Sequence, residues 1–572
     1  MDPTFVLIDF PGHPRLSFTN PVEVIVADDV KNVRPALARV EARAAAGYFA
    51  VGFVSYDAAP AFDSALRVNA SLHMPLLWFA VFTAPTERAQ LITGDNARAT
   101  WRPHVTESQY ERAIADIQRG IRDGTFYQVN HTLRLRAEWS GDPRAAYEAL
   151  RAAQPAAYGM YVDTGRFHVL SVSPELFFSR TGRDIQARPM KGTARRGRWP
   201  SEDASAAAGL KASPKERAEN VMIVDLVRND LGRIADVGSV TVSRLFEVEQ
   251  HPTVWQMTST ISARLPAQTG LPDIFGALFP CGSVVGAPKI AAASWIADHE
   301  DAPRGVYCGS MGIVRPGGDC TFNVAIRTLV IDGESGIAEY GAGGGITIDS
   351  TPAGEYDELM AKAAVLQGPS PDFQLLETMR LTNGAFVRRE RHLSRLVTSA
   401  EYFAFPDVRH AATIALDERA RTSAVGDHRV RLLAAHDGTV RTEATPFTAN
   451  SSPQRCAVAQ AAVNSSDPFL FHKTTHRVVY NERRAAHADV DEVILVNERG
   501  ELTECSVGNL VLEIDGVRFT PPLDCGLLPG VFREELLARG AIHERVLHPA
   551  DLQRATRIWR INSLREWTAL VM

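Results

Sequence analysis

The sequence predicts an α+β protein made of two unlike domains, and three observations carry that. Its 572 residues are too many for one core. Short apolar strands and amphipathic helices follow one another with no internal repeat and no low-complexity tract. A Pro-, Gly- and Ser-containing stretch, Gly368–Phe373, lies between two well-patterned segments and reads as a boundary. The expected division is residues 1–367, a linker at 368–372, and residues 373–572.

Composition narrows the class. Hydrophobic residues at 45% and charged residues at 22% are ordinary for globular protein. A formal net charge of −6 with no long basic run argues against a nucleic-acid platform. The N-terminal MDPTFVLIDFPG has neither the basic nor the apolar region of a signal peptide. No apolar run approaches about 20 residues, the length a membrane span needs. Six cysteines are scattered without CxxC spacing, which suits reduced thiols better than disulfides or zinc. A soluble cytoplasmic protein is expected.

Residues 1 to 105 alternate apolar strands (FVLIDF, VEVIVA, YFAVGFVSYDA, LLWFAVFTA) with one helix near Val33–Ala46. Tyr110, Ile114, Ile117 and Ile121 fall at helical spacing, and Gly124 closes that helix. GTFYQVNHTLRLRAEW then alternates as a strand, with Gln128 and Asn130 available to a pocket. The Arg-, Ala- and Ser-rich segment from Ala194 to Glu216 reads as mobile chain over Lys191. ERAENVMIVDLVRNDLG follows as a strong helix, with Met222, Ile223, Leu226 and Val227 as its apolar stripe and Glu219 near its start. Two strands, a loop whose GAP opens a helix, and a strand pair around Pro-Gly-Gly lead to IAEYGAGGGITIDSTPAGEYDELMAKA, read as strand, glycine loop and helix. Past the boundary, an Asn-Gly hairpin enters another helix, and strands and helices then alternate to the end.

Chemistry begins in the hairpin SVSPELFFSRTGRDIQARPMKGT, residues 171–193, which turns at Gly182. A two-residue loop at Gly182–Arg183 sets Glu175 opposite Met190. Lys191 therefore needs a bulge, with Pro189 the candidate position, to share the Glu175 face. A carboxylic acid beside an amine can expel a hydroxyl and trap the carbon left behind. An edge salt bridge is the ordinary reading of such a pair.

Glu355, Glu358 and Lys362 share one helix face, which by itself is a solvated face with i,i+4 pairing. Glu219 by itself is a favourable charge near a helix start. Together Glu219 and Glu358 offer oxygen ligands to Mg²⁺, which takes one or two protein carboxylates plus substrate and water. GAGGGI lacks GxGxxG, and GSVVGAPK lacks the GK[ST] of a phosphate loop. Gly341 and Gly343 instead allow backbone amides to approach a carboxylate. Arg327, within an otherwise apolar strand, calls for an anion.

PELFF, PMKGT, AENVMIVDLVRNDLG, GSVVGAPK and EYDELMAKA together resemble the chorismate-utilising enzymes over roughly residues 105–365. Within that superfamily PMKGT is similar to the 4-amino-4-deoxychorismate synthase component I family; anthranilate synthases carry alanine where Lys191 stands. The resemblance implies that Glu175 protonates the departing C4 hydroxyl of chorismate while Lys191 adds at C2, after which ammonia attacks C4 and expels the lysine. It places Mg²⁺ on Glu219 and Glu358, and substrate carboxylates on Tyr307, Arg327, Gly341, Gly343 and Lys362. Two departures stand out: Gln256 where histidine is common, and Val285 where threonine is common. No glutaminase region is visible, so ammonia is expected from a separate glutamine amidotransferase subunit or from solution.

The second half pairs Lys473, in FHKTTHRVVYNERR, with Glu504, in ELTECSVGNLVLEIDG; alone, Lys473 is a surface lysine in a loop. With PPLDCGLLPGVFRE and RINSLREW these segments resemble fold-type IV pyridoxal-phosphate enzymes, the 4-amino-4-deoxychorismate lyase family in particular, over about residues 372–572. By that resemblance Lys473 carries pyridoxal 5′-phosphate, Glu504 keeps the pyridine nitrogen protonated, and Arg395 with amides near Gly530 holds the phosphate. Tyr480, Asn562 and Arg565 are further pocket residues, and a homodimer through this domain is common among relatives. The two halves would then aminate chorismate and split the product into 4-aminobenzoate and pyruvate for folate synthesis. The rival enzyme reading joins an anthranilate or isochorismate synthase to a D- or branched-chain aminotransferase. A rival of another class is a partly inactive scaffold that binds a glutaminase.

Overall fold

The computed structural model describes all residues except 1–3, 70, 72, 87–98, 156, 368–371, 424 and 449–451. The chain divides into two compact units, one of residues 1–195 and 207–370, the other of residues 196–206 and 371–572. Most of the expected linker, 368–372, lies outside the described residues.

The first unit carries a nine-stranded and a ten-stranded sheet, and their named pairings are antiparallel. Both sheets feed one apolar interior, where Val6 and Ile8 of one meet Val51, Phe53 and Ile313 of the other. Three segments of the nine-stranded and ten-stranded sheets set up the site. The long strand Gln128–Glu138 pairs through residues 129–138 with the whole of Ile337–Ile346. The glycines 341 and 343–345 therefore lie in a strand, where a loop was expected. Their missing side chains make room across the sheet: a Cβ on Gly341 would lie 2.4 Å from the Tyr307 ring.

The hairpin at 176–188 turns over Gly182–Arg183 as expected, pairing Thr181 with Asp184. Its bulge lies elsewhere than expected. The register shifts between Leu176 and Ser179, in the first arm, and the ladder ends at Leu176 opposite Arg188. Pro189, with no amide to donate, separates that arm from a new strand, Met190–Arg195, which pairs with Val254–Arg264. Glu175 and Lys191 thus come from the ends of different ladders.

Arg327 is also not inside a strand. It adopts φ 49° between Cys320–Val324 of the ten-stranded sheet and Thr328–Asp332 of the nine-stranded one, where the chain changes sheets. The helix Pro214–Gly232 buries Ile223, Val224, Val227 and Leu231, so its inner stripe is rotated from the one expected and Glu219 sits in its second turn.

The segment expected to be mobile over Lys191 is ordered instead. Its Ala- and Ser-rich residues form the helix Pro200–Ala212, consistent with alanine's high helix propensity. Its first part, Arg196–Ala206, belongs to the second unit.

In the second unit, a four-stranded sheet includes the Asn383-Gly384 hairpin, both turn residues having positive φ. An eight-stranded mixed sheet holds parallel pairs such as Cys456–Val458 with Glu492–Ile494. All six cysteines are free and buried. Among the described residues no helix is long and apolar enough to cross a membrane.

Candidate active sites

A cavity of about 180 Å³ in the first unit gathers Glu175, Lys191, Glu219, Tyr307, Arg327, Gly341, Gly343, Glu358 and Lys362. Every residue expected for that site in the first half is therefore at one place.

Glu175 is 3% exposed, and Ser283 donates to its Oε1 at 2.7 Å. Burial pushes its pKa up to about 7, against the pull of the Ser283 hydrogen bond and of Lys191. A carboxyl in that state can carry a proton near neutrality. Burial also lowers the Lys191 ammonium, opposed by Glu219, which favours a free amine. The Lys191 carbonyl accepts from Asn220 Nδ2 at 3.3 Å, and Asn220 in turn accepts from Ser259 at 2.6 Å. Ser283 and Asn220 were not singled out from sequence, although both stand inside the quoted motifs GSVVGAPK and AENVM.

The helix face of Glu355, Glu358 and Lys362 points into the cavity. Lys362 Nζ lies 2.8 Å from Glu358 Oε1 and donates to the Gly343 carbonyl at 2.8 Å. Lys362 holds Glu358 below the usual carboxylate range, whereas burial raises Glu216, Glu219 and Glu355. Four carboxylates from two helices thus line the cavity. Among the described residues no cluster of three or more ligating side chains forms a closed cation site. Mg²⁺ accepts one or two protein carboxylates with water and substrate completing its shell, and Glu219 and Glu358, which both line this cavity, are ligands of that kind.

The Arg327 guanidinium, also lining the cavity, meets the Gln154 side chain at 2.6 Å, and among the described residues no carboxylate pairs with it. Gln256 donates to the Gly192 carbonyl at 2.9 Å and accepts from Thr193 at 3.1 Å, bracing the strand that bears Lys191. Val285 is fully buried in the apolar core, a packing role.

A second cavity, about 450 Å³, lies in the second unit and brings together Lys473, Glu504, Arg395, Gly530, Tyr480, Asn562 and Arg565. Lys473 is brought down to about 8, first by burial and then by Arg395 and Arg477. Glu504 is 2% exposed and accepts from Tyr480 at 2.7 Å, from Leu528 N–H at 3.2 Å and from Asn509 at 3.3 Å. Burial raises it to about 7. Gly530 caps the helix Val531–Ala538, and a Cβ there would lie 2.0 Å from Asn509 Oδ1. Arg395 is held bidentately by Glu377, at 2.8 and 2.7 Å, and Glu377 also meets His392 at 2.7 Å. Burial alone would raise Glu377, but Arg395 and His392 hold it at about 2. Sequence reading missed this buried clamp and four more cavity arginines, Arg477 and Arg560 and also Arg429 and Arg431. For the last two, alternation along the strand Asp427–Ala434 was the available signal. A lysine amine, an acid deep in the cavity and an arginine beside a helix start suit the amine-reactive carbon, ring nitrogen and phosphate of pyridoxal phosphate.

Residues 5–368 match the family described as chorismate binding enzyme. The chain belongs to that family. Residues 374–571 match the family Amino-transferase class IV. The chorismate-binding part is similar to aminodeoxychorismate synthase component 1 of Klebsiella aerogenes, 40% identical over 287 residues, or 50% of this chain and 62% of the relative. It is similar to the Escherichia coli protein of that name, 41% identical over 263 residues, 46% of this chain and 57% of the relative. The match thus spans less than two thirds of these relatives. Among solved structures, anthranilate synthase component I from Streptococcus pneumoniae aligns with a TM-score of 0.53 at 27% identity, covering 64% of this chain and 90% of that one.

Proposed function

We propose that the first unit aminates chorismate at C4 and that the second converts the resulting 4-amino-4-deoxychorismate to 4-aminobenzoate and pyruvate. The observation that carries this is Lys191 in one cavity with Glu175, two carboxylates fit for Mg²⁺, and an arginine with no acidic partner among the described residues. The similarity to aminodeoxychorismate synthase component 1 supports the same reading for the first unit.

Arg327 and Lys362 hold carboxylates of the substrate, and Tyr307 packs over the close-approach surface at Gly341. Glu219 and Glu358 would hold Mg²⁺, whose charge would offset that of a substrate carboxylate. Glu175 gives its proton to the C4 hydroxyl, which leaves as water. The neutral Lys191 amine adds at C2 as the ring double bonds shift toward C4. Ammonia then attacks C4 as the Lys191–C2 bond breaks, returning the amine, and the proton shed by the new C4 ammonium restores the Glu175 acid. A separate glutamine amidotransferase or free ammonium supplies that ammonia.

In the second cavity Arg395 and the amides at Gly530 would hold the phosphate of pyridoxal phosphate, and Glu504 the ring nitrogen. The bound cofactor supplies an electron sink for the substrate's amine-bearing carbon. Lys473, near 8, takes the C4 proton and returns a proton as the enolpyruvyl group departs. Arg429 and Arg565 face the same cavity, and among the described residues neither pairs with a carboxylate, so they suit an acceptor of two negative charges. Six buried unpaired thiols suit reducing cytoplasm.

The test supplies purified protein with chorismate, Mg²⁺, ammonium and pyridoxal phosphate, and identifies products by mass. 4-Aminobenzoate with equimolar pyruvate is expected. Anthranilate would defeat the role of Lys191, and aminodeoxychorismate that accumulates would defeat the lyase.

A further inference from the structure

Lys473 follows two buried aromatic residues, Phe471 and His472, at 1% and 2% exposure. Part of what packs on them comes from more than 260 positions earlier in the chain. Trp199 lies on Phe471 with ring centroids 5.1 Å apart, and the Arg198 guanidinium lies over the same ring at 5.7 Å. Tyr402 stacks on His472 at 4.2 Å, and its hydroxyl donates to the Gly197 carbonyl at 2.8 Å. His472 Nδ1 lies 3.0 Å from Ser399 Oγ.

This short stretch is itself tightly held. Arg196 grips Asp203 through two hydrogen bonds of 2.8 and 2.7 Å and donates to the Tyr402 carbonyl at 2.9 Å. The Gly197 amide donates to Asp203 at 2.8 Å, and a Cβ on Gly197 would lie 2.1 Å from the Asp203 nitrogen, so only glycine fits. Arg198 reaches Asp524 at 2.6 Å. On the other side, the Lys473 carbonyl accepts from Leu376 N–H at 2.9 Å.

We propose that residues 196–199 form a clasp that positions Lys473, with Trp199 and Gly197 fixing Phe471 and His472 and so the direction in which the lysine leaves the backbone. These are positioning residues, since none of them lines the Lys473 cavity. The clasp rests on the reading of Lys473 as the reactive amine of the second unit. It makes part of the chorismate-binding stretch of sequence a working component of the class IV unit, which neither family match records.

The test uses the full-length chain with Trp199→Ala and Trp199→Phe. Backbone hydrogen exchange is followed without cofactor, and pyruvate release from supplied aminodeoxychorismate is followed with it. In Trp199→Ala, amides of residues 469–474 are expected to exchange about tenfold faster, the scale of one lost aromatic pair. The kcat for pyruvate release should fall by a similar factor with KM nearly unchanged, and Trp199→Phe should restore both. Unchanged exchange at 469–474 would overturn the clasp. So would faster exchange spread evenly over the whole second unit, which marks general stability rather than positioning. The exchange measurement needs no substrate, so a wild-type chain that releases no pyruvate, together with the local exchange change in Trp199→Ala, would count against the proposed lyase reaction and for the clasp.

Discussion

Two ionisations define what the first cavity can do. For the proposed amination Glu175 has to arrive protonated and Lys191 as the free amine, and burial moves each in that direction. The sign is fixed by the roles. With Glu175 near 7, the protonated fraction, and the rate with it, declines as pH rises through about 7. At constant free ammonia, amination is expected to show that alkaline decline, and Glu175→Gln to be slower by about 10²–10⁴-fold. A flat profile from pH 6 to 9 would remove the acid role. Lys191→Ala is expected to abolish C4 amination or shift it to C2, while pyruvate release from supplied aminodeoxychorismate stays unchanged. C4 amination at the wild-type rate in that variant would end the covalent route. Both residues were legible because the acid and the amine stand in quoted motifs. Ser283 and Asn220, which tune and fix them, were not, since a serine or asparagine shows its partner only after folding.

At the scale of elements, the strand Ile337–Ile346 stands where a glycine loop was expected. A β-strand with four glycines has weak intrinsic preference, and the eleven-residue partner strand Gln128–Glu138 supplies the pairing that holds it. Such tertiary support leaves no local signature, which is why the stretch reads as a loop. The bulge in the first hairpin arm was hidden for a similar reason: Phe177 and Phe178 are both apolar and fit either face. The glycine strand has a measurable consequence at Gly345. A Cβ there would lie 2.5 Å from Lys191 Nζ and 1.9 Å from Gln128 Nε2. Gly345→Ala should therefore lower kcat/KM for amination by at least about tenfold, and overpacking of this kind costs roughly 1–3 kcal/mol. Steady-state kinetics with thermal unfolding would check both, and wild-type kinetics in Gly345→Ala would show that the lysine does not occupy this contact.

Over the whole molecule, the boundary that composition marks near residue 368 is only one of the places where the chain passes between units. It also leaves the first unit after Arg195 and rejoins it at Ala207. Nothing in a Pro/Gly/Ser count could reveal that, because Arg196, Trp199 and Asp203 find their partners at Tyr402, Phe471 and within the clasp only once the fold exists. The consequence is that residues 371–572 are an incomplete unit. Expressed alone, that fragment lacks Trp199 against Phe471 and Arg198 against Asp524, and leaves the Tyr402 hydroxyl without the Gly197 carbonyl. Uncovering one large aromatic contact costs on the order of 2–3 kcal/mol. For a unit of about 200 residues that corresponds to a midpoint lower by roughly 5–10 °C. Differential scanning calorimetry of the fragment against the matching transition in the full chain measures this directly. Extending the fragment with residues 194–208 through a flexible linker should recover most of the loss. Equal midpoints for fragment and full chain would mean that the 196–206 stretch adds nothing to the second unit's stability, and an extended fragment no more stable than the short one would mean the same.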